Sequence, residues 1–168
     1  MKLETNRLII CKFNMGMAED VHLNSLDEDN RKFVPDEVFE TVEDAKDTLE
    51  YLISCYESND SPLVYPILLK DNSNIGYVQA ILLDDNTYEI GYHVAKKYTG
   101  NGYASEALKI FLPFIMEKLS INEIMGVCLK ENIASIKVLE KVGFIKVFDG
   151  VSSYQGNNKE VVKYKYCK

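Results

Sequence analysis

The stretch Lys96-Lys97-Tyr98-Thr99-Gly100-Asn101-Gly102-Tyr103-Ala104-Ser105-Glu106-Ala107-Leu108 decides how the rest of the chain is read. Before it, Tyr88 to Val94 reads as a strand. After it, Ala104, Leu108, Phe111, Leu112, Ile115 and Leu119 share one face of a helix. A strand therefore passes into a helix through Gly-x-Gly. The first amides of a helix have no partner within it, and the helix dipole adds positive potential at that end. The glycines permit a tight turn and remove side chains that would keep an anion at a distance. Such a turn binds a phosphate or pyrophosphate without a lysine, although the same residues also serve as a plain strand-to-helix turn. Two other phosphate motifs do not fit. A Walker loop ends in Gly-Lys-Ser/Thr, where this chain has Gly102-Tyr103-Ala104, and a dinucleotide fingerprint needs a third glycine where this chain has Ser105.

Outward from this turn the chain punctuates itself clearly. Leu3 to Phe13 predicts one first strand around Leu8-Ile9-Ile10, and Asn14 predicts the cap of a short helix to about Leu26. Asp27 to Glu40 is acidic and irregular and reads as a loop. Thr41-Val42-Glu43-Asp44 resembles a capping box, and behind it Ala45, Leu49, Leu52, Ile53 and Tyr56 recur at helical spacing. Ser58-Asn59-Asp60-Ser61-Pro62 breaks that helix. Val64 to Leu69, Ile75 to Leu83 and Tyr88 to Val94 read as an antiparallel meander. Pro113 predicts a kink or an end to regular helix after the glycine turn. Glu123 to Leu129 reads as a buried strand and Ile133 to Val142 as a capped helix, with Gly143 as its left-handed stop and Phe144 as the accompanying apolar contact. Two strands close the chain, around Phe144 to Phe148 and Glu160 to Tyr166. The order predicts one α/β domain over residues 1–168, with a mixed, mostly antiparallel central sheet of about seven strands flanked by about four helices.

Composition narrows the function classes. A net charge of −7 argues against nucleic-acid binding and suits a cationic acceptor, although it also serves plain solubility. No apolar run approaches the length of a membrane span, and the N-terminus carries no secretory pattern, so a cytoplasmic protein is expected. Cys11, Cys55, Cys128 and Cys167 form no Cys-x-x-Cys pair, and with His22 and His93 alone beside them no metal site is expected. Cys55 and Cys128 lie in apolar patterns and read as buried thiols.

Two motifs in order carry a resemblance. Thr99-Gly100-Asn101-Gly102-Tyr103-Ala104 resembles the pyrophosphate motif Gln/Arg-x-x-Gly-x-Gly/Ala of the GCN5-related N-acetyltransferase (GNAT) superfamily. Asn132-Ile133-Ala134-Ser135, followed by Lys141-Val142-Gly143-Phe144, looks like its second signature. Glu4-Thr5-Asn6-Arg7-Leu8-Ile9-Ile10 is similar to the start of the subgroup that acetylates ribosomal-protein N-termini, and Glu89-Ile90-Gly91-Tyr92 matches the strand before the pyrophosphate turn. Thr99 stands where Gln or Arg is usual, and Leu139 stands where many relatives carry a tyrosine that protonates the departing thiolate.

The resemblance implies direct transfer of acetyl from acetyl-CoA to a primary amine in a ternary complex, with no metal. It implies that backbone groups near His93 and Val94 contact the pantetheine arm. The segment Thr99, Gly100, Asn101, Gly102, Tyr103, Ala104 and Ser105 would hold the pyrophosphate, and Asn132 and Ser135 would line the coenzyme site further on. Asn132 reads equally as the cap of the helix at Ile133. Glu89 is the candidate general base, acting through water with its pKa raised by partial burial. Glu89, Gly91 and His93 share a face by strand alternation, so His93 is a substitute or a helper. Both Glu89 and His93 also read as structural residues. The acceptor is expected to be a protein N-terminus, a polyamine or an aminoglycoside-like amine, with Asp27-Glu28-Asp29 and Asp36-Glu37 read as acidic loops that are solvated or attract it. A monomer or homodimer with no nucleic-acid or membrane partner is expected. A coenzyme-A-binding module with little turnover is the alternative, and a nucleotide-binding domain is disfavoured by the missing lysine.

Overall fold

The computed structural model describes residues 1–58 and 61–168. It opens with a hairpin of β1 (Lys2–Glu4) and β2 (Leu8–Cys11), where the sequence predicts a single strand. Thr5 makes the turn: its Oγ1 accepts from the amides of Leu8 at 2.8 Å and Arg7 at 3.2 Å, a hydroxyl-fastened turn with no Gly or Pro to announce it. Asn14 is a cap as expected, its side chain accepting from Gly16, but it opens a 3₁₀ turn (Met15–Met17), and α1 (Ala18–Ser25) begins only after it.

The acidic stretch read as a loop contains α2 (Glu28–Phe33) and a 3₁₀ turn (Pro35–Glu37). Asp27 caps α2, accepting from the Asn30 amide at 2.8 Å. Glu28 and Asp29 occupy its first turn and Arg31 and Lys32 its last, the distribution a helix dipole favours. So short a helix shows no apolar periodicity, which hides it from pattern reading.

The capping box forms at α3 (Val42–Ser58): the Asp44 amide donates to Thr41 Oγ1 at 3.1 Å and the Thr41 amide to Asp44 Oδ2 at 3.0 Å. Of the predicted break after it, Asn59 and Asp60 lie outside the described residues. The meander is β3 (Leu63–Leu69), β4 (Asn74–Leu82) and β5 (Tyr88–Val94). Then come α4 (Tyr103–Lys118), β6 (Glu123–Leu129), α5 (Ile133–Val142), β7 (Ile145–Tyr154) and β8 (Asn157–Cys167). Pro113 neither ends nor interrupts α4. It lies on the exposed side with Lys109, where the one bond it removes is open to solvent.

The described residues form eight strands and five α-helices, against about seven and about four expected. One sheet runs β1-β2-β3-β4-β5-β6-β8-β7, antiparallel throughout except where β5 meets β6. Its faces are covered unequally. Tyr65, Val78, Ile90, Phe111, Ile115 and Tyr164 build the larger core beneath α4 and α5. Phe13, Ala18, Leu49, Leu52 and Val64 build a smaller one beneath α1 and α3. No described helix is long and apolar enough to cross a membrane.

Candidate active site

The site begins where the sheet comes apart. β5 pairs with β4 along its whole length, from Gly76↔Val94 to Leu82↔Tyr88, yet among the described residues it registers with β6 only at Glu89↔Met125. Beyond Glu89 the two parallel strands diverge. The β5 main chain towards His93 and Val94 has lost the strand that would take its hydrogen bonds on that side, and unpaired backbone groups next to a cleft are recognition groups for a ligand.

The glycine turn closes the same end. A 3₁₀ turn (Lys96–Tyr98) is tied by Thr99, whose Oγ1 donates to the Lys96 carbonyl at 2.8 Å. Asn101 Nδ2 donates to the carbonyls of Tyr98 at 3.0 Å and Thr99 at 3.1 Å. Thr99 and Asn101 thus shape the turn with their side chains. Gly100 and Gly102 both sit at φ 79°, left-handed backbone that an L side chain resists. Gly102 is the N-cap of α4 and no side chain caps that helix, so the amides through Tyr103, Ala104 and Ser105 are left for an anion. Two cations flank them: a Cβ on Gly102 would lie 3.9 Å from Arg7 Nη2 and 4.0 Å from Lys141 Nζ. Arg7 is held there by Glu106, to which its Nε donates at 2.8 Å, by the Asn101 carbonyl at 3.1 Å, and by the Tyr103 ring 4.6 Å below. Arg7 and Lys141 both occur in the motifs quoted above, but sequence spacing gives no hint that they converge on the turn.

Asn132 and Ser135 stand apart from this station, Ser135 lying about 9 Å along α5 from Lys141 at the helical rise. Asn132 Oδ1 accepts from the Ser135 amide at 3.1 Å, so it is the cap of α5. Ser135 is bound to β5: its Oγ donates to the Tyr92 hydroxyl at 3.1 Å, and its carbonyl accepts from that hydroxyl at 2.9 Å. Leu139 is buried in the core and has no proton to give.

The opposite face of β4 and β5 carries the acid groups. Register places Tyr77 beside His93, Gln79 beside Gly91 and Ile81 beside Glu89. Gly91 leaves room for Gln79 here: a Cβ on it would lie 2.6 Å from Gln79 Nε2 and would displace that side chain. The Gln79 amide, lying over Gly91, donates to Glu37 Oε1 at 3.5 Å, and the Tyr77 hydroxyl donates to Glu37 Oε2. Glu37, read in the sequence as part of a solvated loop, is therefore folded onto the middle of β5. Burial pushes its carboxyl from 4.5 up to about 7, against the Gln79 hydrogen bond and with the help of Asp36. Burial likewise pushes Glu89 up to about 7, opposed only by Lys163. The Tyr154 phenol is raised to about 12, first by burial and then by the charges of Glu89, Cys128 and Glu37. Two carboxyls thus feel one phenol from β7. Tyr154 is brought over this face by the β7–β8 hairpin, whose Gln155 Nε2 donates to the Phe33 carbonyl at 3.1 Å.

His93 lies on this face as expected, its ring 5.9 Å from that of Tyr77. Its Nε2 is 3.6 Å from Asp27 Oδ2, and burial lowers its pKa against Asp27 and Asp29. Asp27 spends its carboxylate twice, on the cap of α2 and on the Lys96 amide at 2.9 Å, which fastens α2 to the end of β5. Cys55 and Cys128 are buried and unbonded.

Residues 7–145 match the family model described as an acetyltransferase (GNAT) domain. The chain is 31% identical over 145 residues to the uncharacterized N-acetyltransferase YnaD of Bacillus subtilis, covering 85% of this chain and 82% of that one. Its fold matches the crystal structure of a GNAT-family acetyltransferase from Bacillus anthracis with a TM-score of 0.82 at 27% identity, covering 99% and 98% of the two chains. It also matches the fold of the ribosomal alpha-N-protein acetyltransferase RimL, crystallised with coenzyme A, with a TM-score of 0.84 at 17% identity over 99% and 98% of the two chains.

Proposed function

The chain belongs to the GNAT acetyltransferase family, and from that we propose that it transfers the acetyl group of acetyl-CoA directly to a primary amine, carried by a protein N-terminus or a small molecule. The observation that carries this reading is the parting of β5 from β6 beside a glycine turn whose helix has no cap. The residues present fit the coenzyme. The amides of Tyr103, Ala104 and Ser105, with Arg7 and Lys141, take its diphosphate, and Gly100 and Gly102 allow it close. The freed β5 backbone at His93 and Val94 holds the pantetheine arm as an added strand would, and Asn132 and Ser135 border its path at the start of α5. Bound there, acetyl-CoA supplies an activated acyl carbon.

The protein's part is to position the amine, take its proton and exclude water. Glu89 receives the proton through water. With its pKa near 7 it is substantially ionised at neutral pH, yet basic enough to accept. The charge of Lys163 favours its ionised form.

Leu139 keeps a second reading open, a coenzyme-binding module with little turnover, because no phenol occupies that position. One pair of measurements separates the two: titration calorimetry with acetyl-CoA, and thiol release in the presence of a panel of amines. Binding with release supports the transferase. Binding without release across the panel supports the module, and no binding sinks both.

A further inference from the structure

Among the described residues, three buried side-chain atoms lack a hydrogen-bond partner: Asn30 Oδ1, Asn74 Nδ2 and His93 Nε2. All three residues line one cavity of about 250 Å³, enclosed by the face of β4 and β5, α1, α3 and the segment around α2. Asn30 and Asn74 are 2% and 5% exposed, and buried amides left unpaired are rare unless a ligand or water completes them. Neither can turn away. Asn30 Nδ2 donates to the Glu37 carbonyl at 3.2 Å, so its oxygen is the free end. Asn74 Oδ1 accepts from the Gly76 amide at 2.9 Å, so its nitrogen is the free end. Asn24 Nδ2 fixes the Asn74 backbone, donating to its carbonyl at 2.7 Å.

The cavity therefore offers one neutral acceptor, one donor and, from Glu37 in the same wall, a carboxylate. Phe13, Val21, Phe39, Leu49, Leu52 and Val64 line it with apolar surface. A cavity of about 150 Å³ holds benzene, so this one holds about ten non-hydrogen atoms. His93 Nε2 has Asp27 Oδ2 3.6 Å away, and a ligand that satisfies the remaining groups has an amine for Glu37 and Asn30, a carbonyl for Asn74 and an apolar body for the rest. We propose that the cavity receives an apolar aminoacyl group, a primary amine one carbon from a carbonyl on an aliphatic or aromatic side chain, presented by a small amide or by the first residue of a peptide. This rests on the transferase reading and names its acceptor class. Glu37 lies against the middle of β5 through Gln79 and Gly91, so an amine held there faces the strand from which the coenzyme cleft opens. A polyamine has nothing to accept from Asn74 and carries charge against apolar walls. An aminoglycoside is too large and too polar.

The test uses the intact protein with saturating acetyl-CoA and reads thiol release. The amines are leucinamide, isoamylamine (the same branched body without the carbonyl), spermidine, kanamycin, and tetrapeptides beginning with leucine or with aspartate. Leucinamide should exceed isoamylamine in kcat/KM about tenfold or more, the worth of one buried hydrogen bond, and spermidine and kanamycin should fall lower still. Turnover of the leucine-first peptide above the aspartate-first one assigns the source to a peptide; turnover of leucinamide alone assigns it to a small amide. Glu37→Gln should raise the leucinamide KM about tenfold or more while the acetyl-CoA Kd stays unchanged. Asn74→Asp keeps the acceptor that holds Gly76 and replaces the free donor by a carboxylate oxygen that repels a carbonyl, so it should erase the preference for leucinamide over isoamylamine. Equal turnover of those two amines by the unmodified protein, a preference for spermidine or kanamycin, or acetyl-CoA binding with no release to any of these amines would overturn the proposal. Loss of acetyl-CoA binding itself would instead count against the transferase reading beneath it.

Discussion

Replacing Glu89 by glutamine removes one charge and almost no volume, and its consequences follow from a single number. Burial lifts the carboxyl from 4.5 to about 7. As the proposed base it would be active only when ionised, which is about nine-tenths of molecules at pH 8 and about one-hundredth at pH 5. The parent kcat should therefore fall about ninetyfold between those pH values, along a limb centred near 7. Glu89→Gln should lower kcat at pH 8 about a hundredfold or more and flatten that limb, with the acetyl-CoA Kd unchanged.

The same carboxyl predicts an effect on stability. An acid whose folded pKa is raised penalises folding only when ionised: the penalty is absent below 4.5, grows as pH rises and is complete above about 7. At pH 8 it amounts to about 3 kcal/mol and at pH 5 to about 1 kcal/mol. The glutamine variant should therefore be the more stable protein at pH 8, with an advantage that shrinks by about 2 kcal/mol at pH 5 in urea melts. Glu37, with a pKa also near 7, is the control. A pH limb that survives Glu89→Gln and vanishes in Glu37→Gln would move the base from one carboxyl to the other. A stability difference identical at both pH values would refute the desolvation argument.

Three further substitutions test other parts of the structure. Gly102→Glu forces left-handed backbone on a side chain and puts a carboxylate between Arg7 and Lys141; occupying the diphosphate's place, it should weaken acetyl-CoA about tenfold or more by calorimetry. Tyr56→Phe removes a buried hydroxyl that donates to the Val64 carbonyl and accepts from the Phe13 amide; leaving both unpaired should cost about 1–3 kcal/mol in urea unfolding. Asn132→Ala removes the α5 cap and should cost about 1 kcal/mol, with a parallel loss of acetyl-CoA affinity if the side chain also borders the coenzyme.

What the sequence discloses and what it hides divide along a physical line. The capping box at Thr41, the stop at Gly143 and the meander are local: each is set by residues within a few positions, and each is found where expected. The glycine turn is local too, and the structure leaves its helix uncapped. The hairpin at Thr5 and the short helix α2 are also local, but side-chain hydrogen bonds fasten them where periodicity or glycine would have signalled them, so pattern reading passes over them. Arg7, Lys141, Gln79 and Tyr154 are different. Arg7 and Lys141 lie within recognisable motifs, but nothing in sequence says that any of the four meets the site, since what matters is which distant strand or helix they face. Glu37 shows this most plainly: in an acidic, irregular stretch it reads as solvated, and only the packing of the Pro35–Glu37 turn against Tyr77 and Gln79 buries it.

That division carries over to function. In the proposed site the coenzyme side is built largely from main chain: the amides at the start of α4, the freed edge of β5, and glycines that stay out of the way. Main chain is indifferent to most substitutions, so this half of the site tolerates change while keeping its chemistry. Thr99 stands where Gln or Arg is usual, yet its hydroxyl closes the turn through the Lys96 carbonyl. The proposed acceptor side is built from side chains on α1, the α2 segment, α3, β4, β5 and the β7–β8 hairpin, each of which changes independently. The hairpin and the α2 segment are joined across the site by Gln155 and the Phe33 carbonyl, and α2 is pinned to the end of β5 by Asp27 and the Lys96 amide. A substitution in α2 that leaves Asp27 in place should therefore shift Glu37, the approach of Tyr154 and the mouth of the cavity together, while the tie to the glycine turn is kept. Selectivity among amines should accordingly respond to changes between Glu28 and Glu40 far more than acetyl-CoA affinity does, and a set of variants there that altered both in proportion would mean that the two halves are not separable.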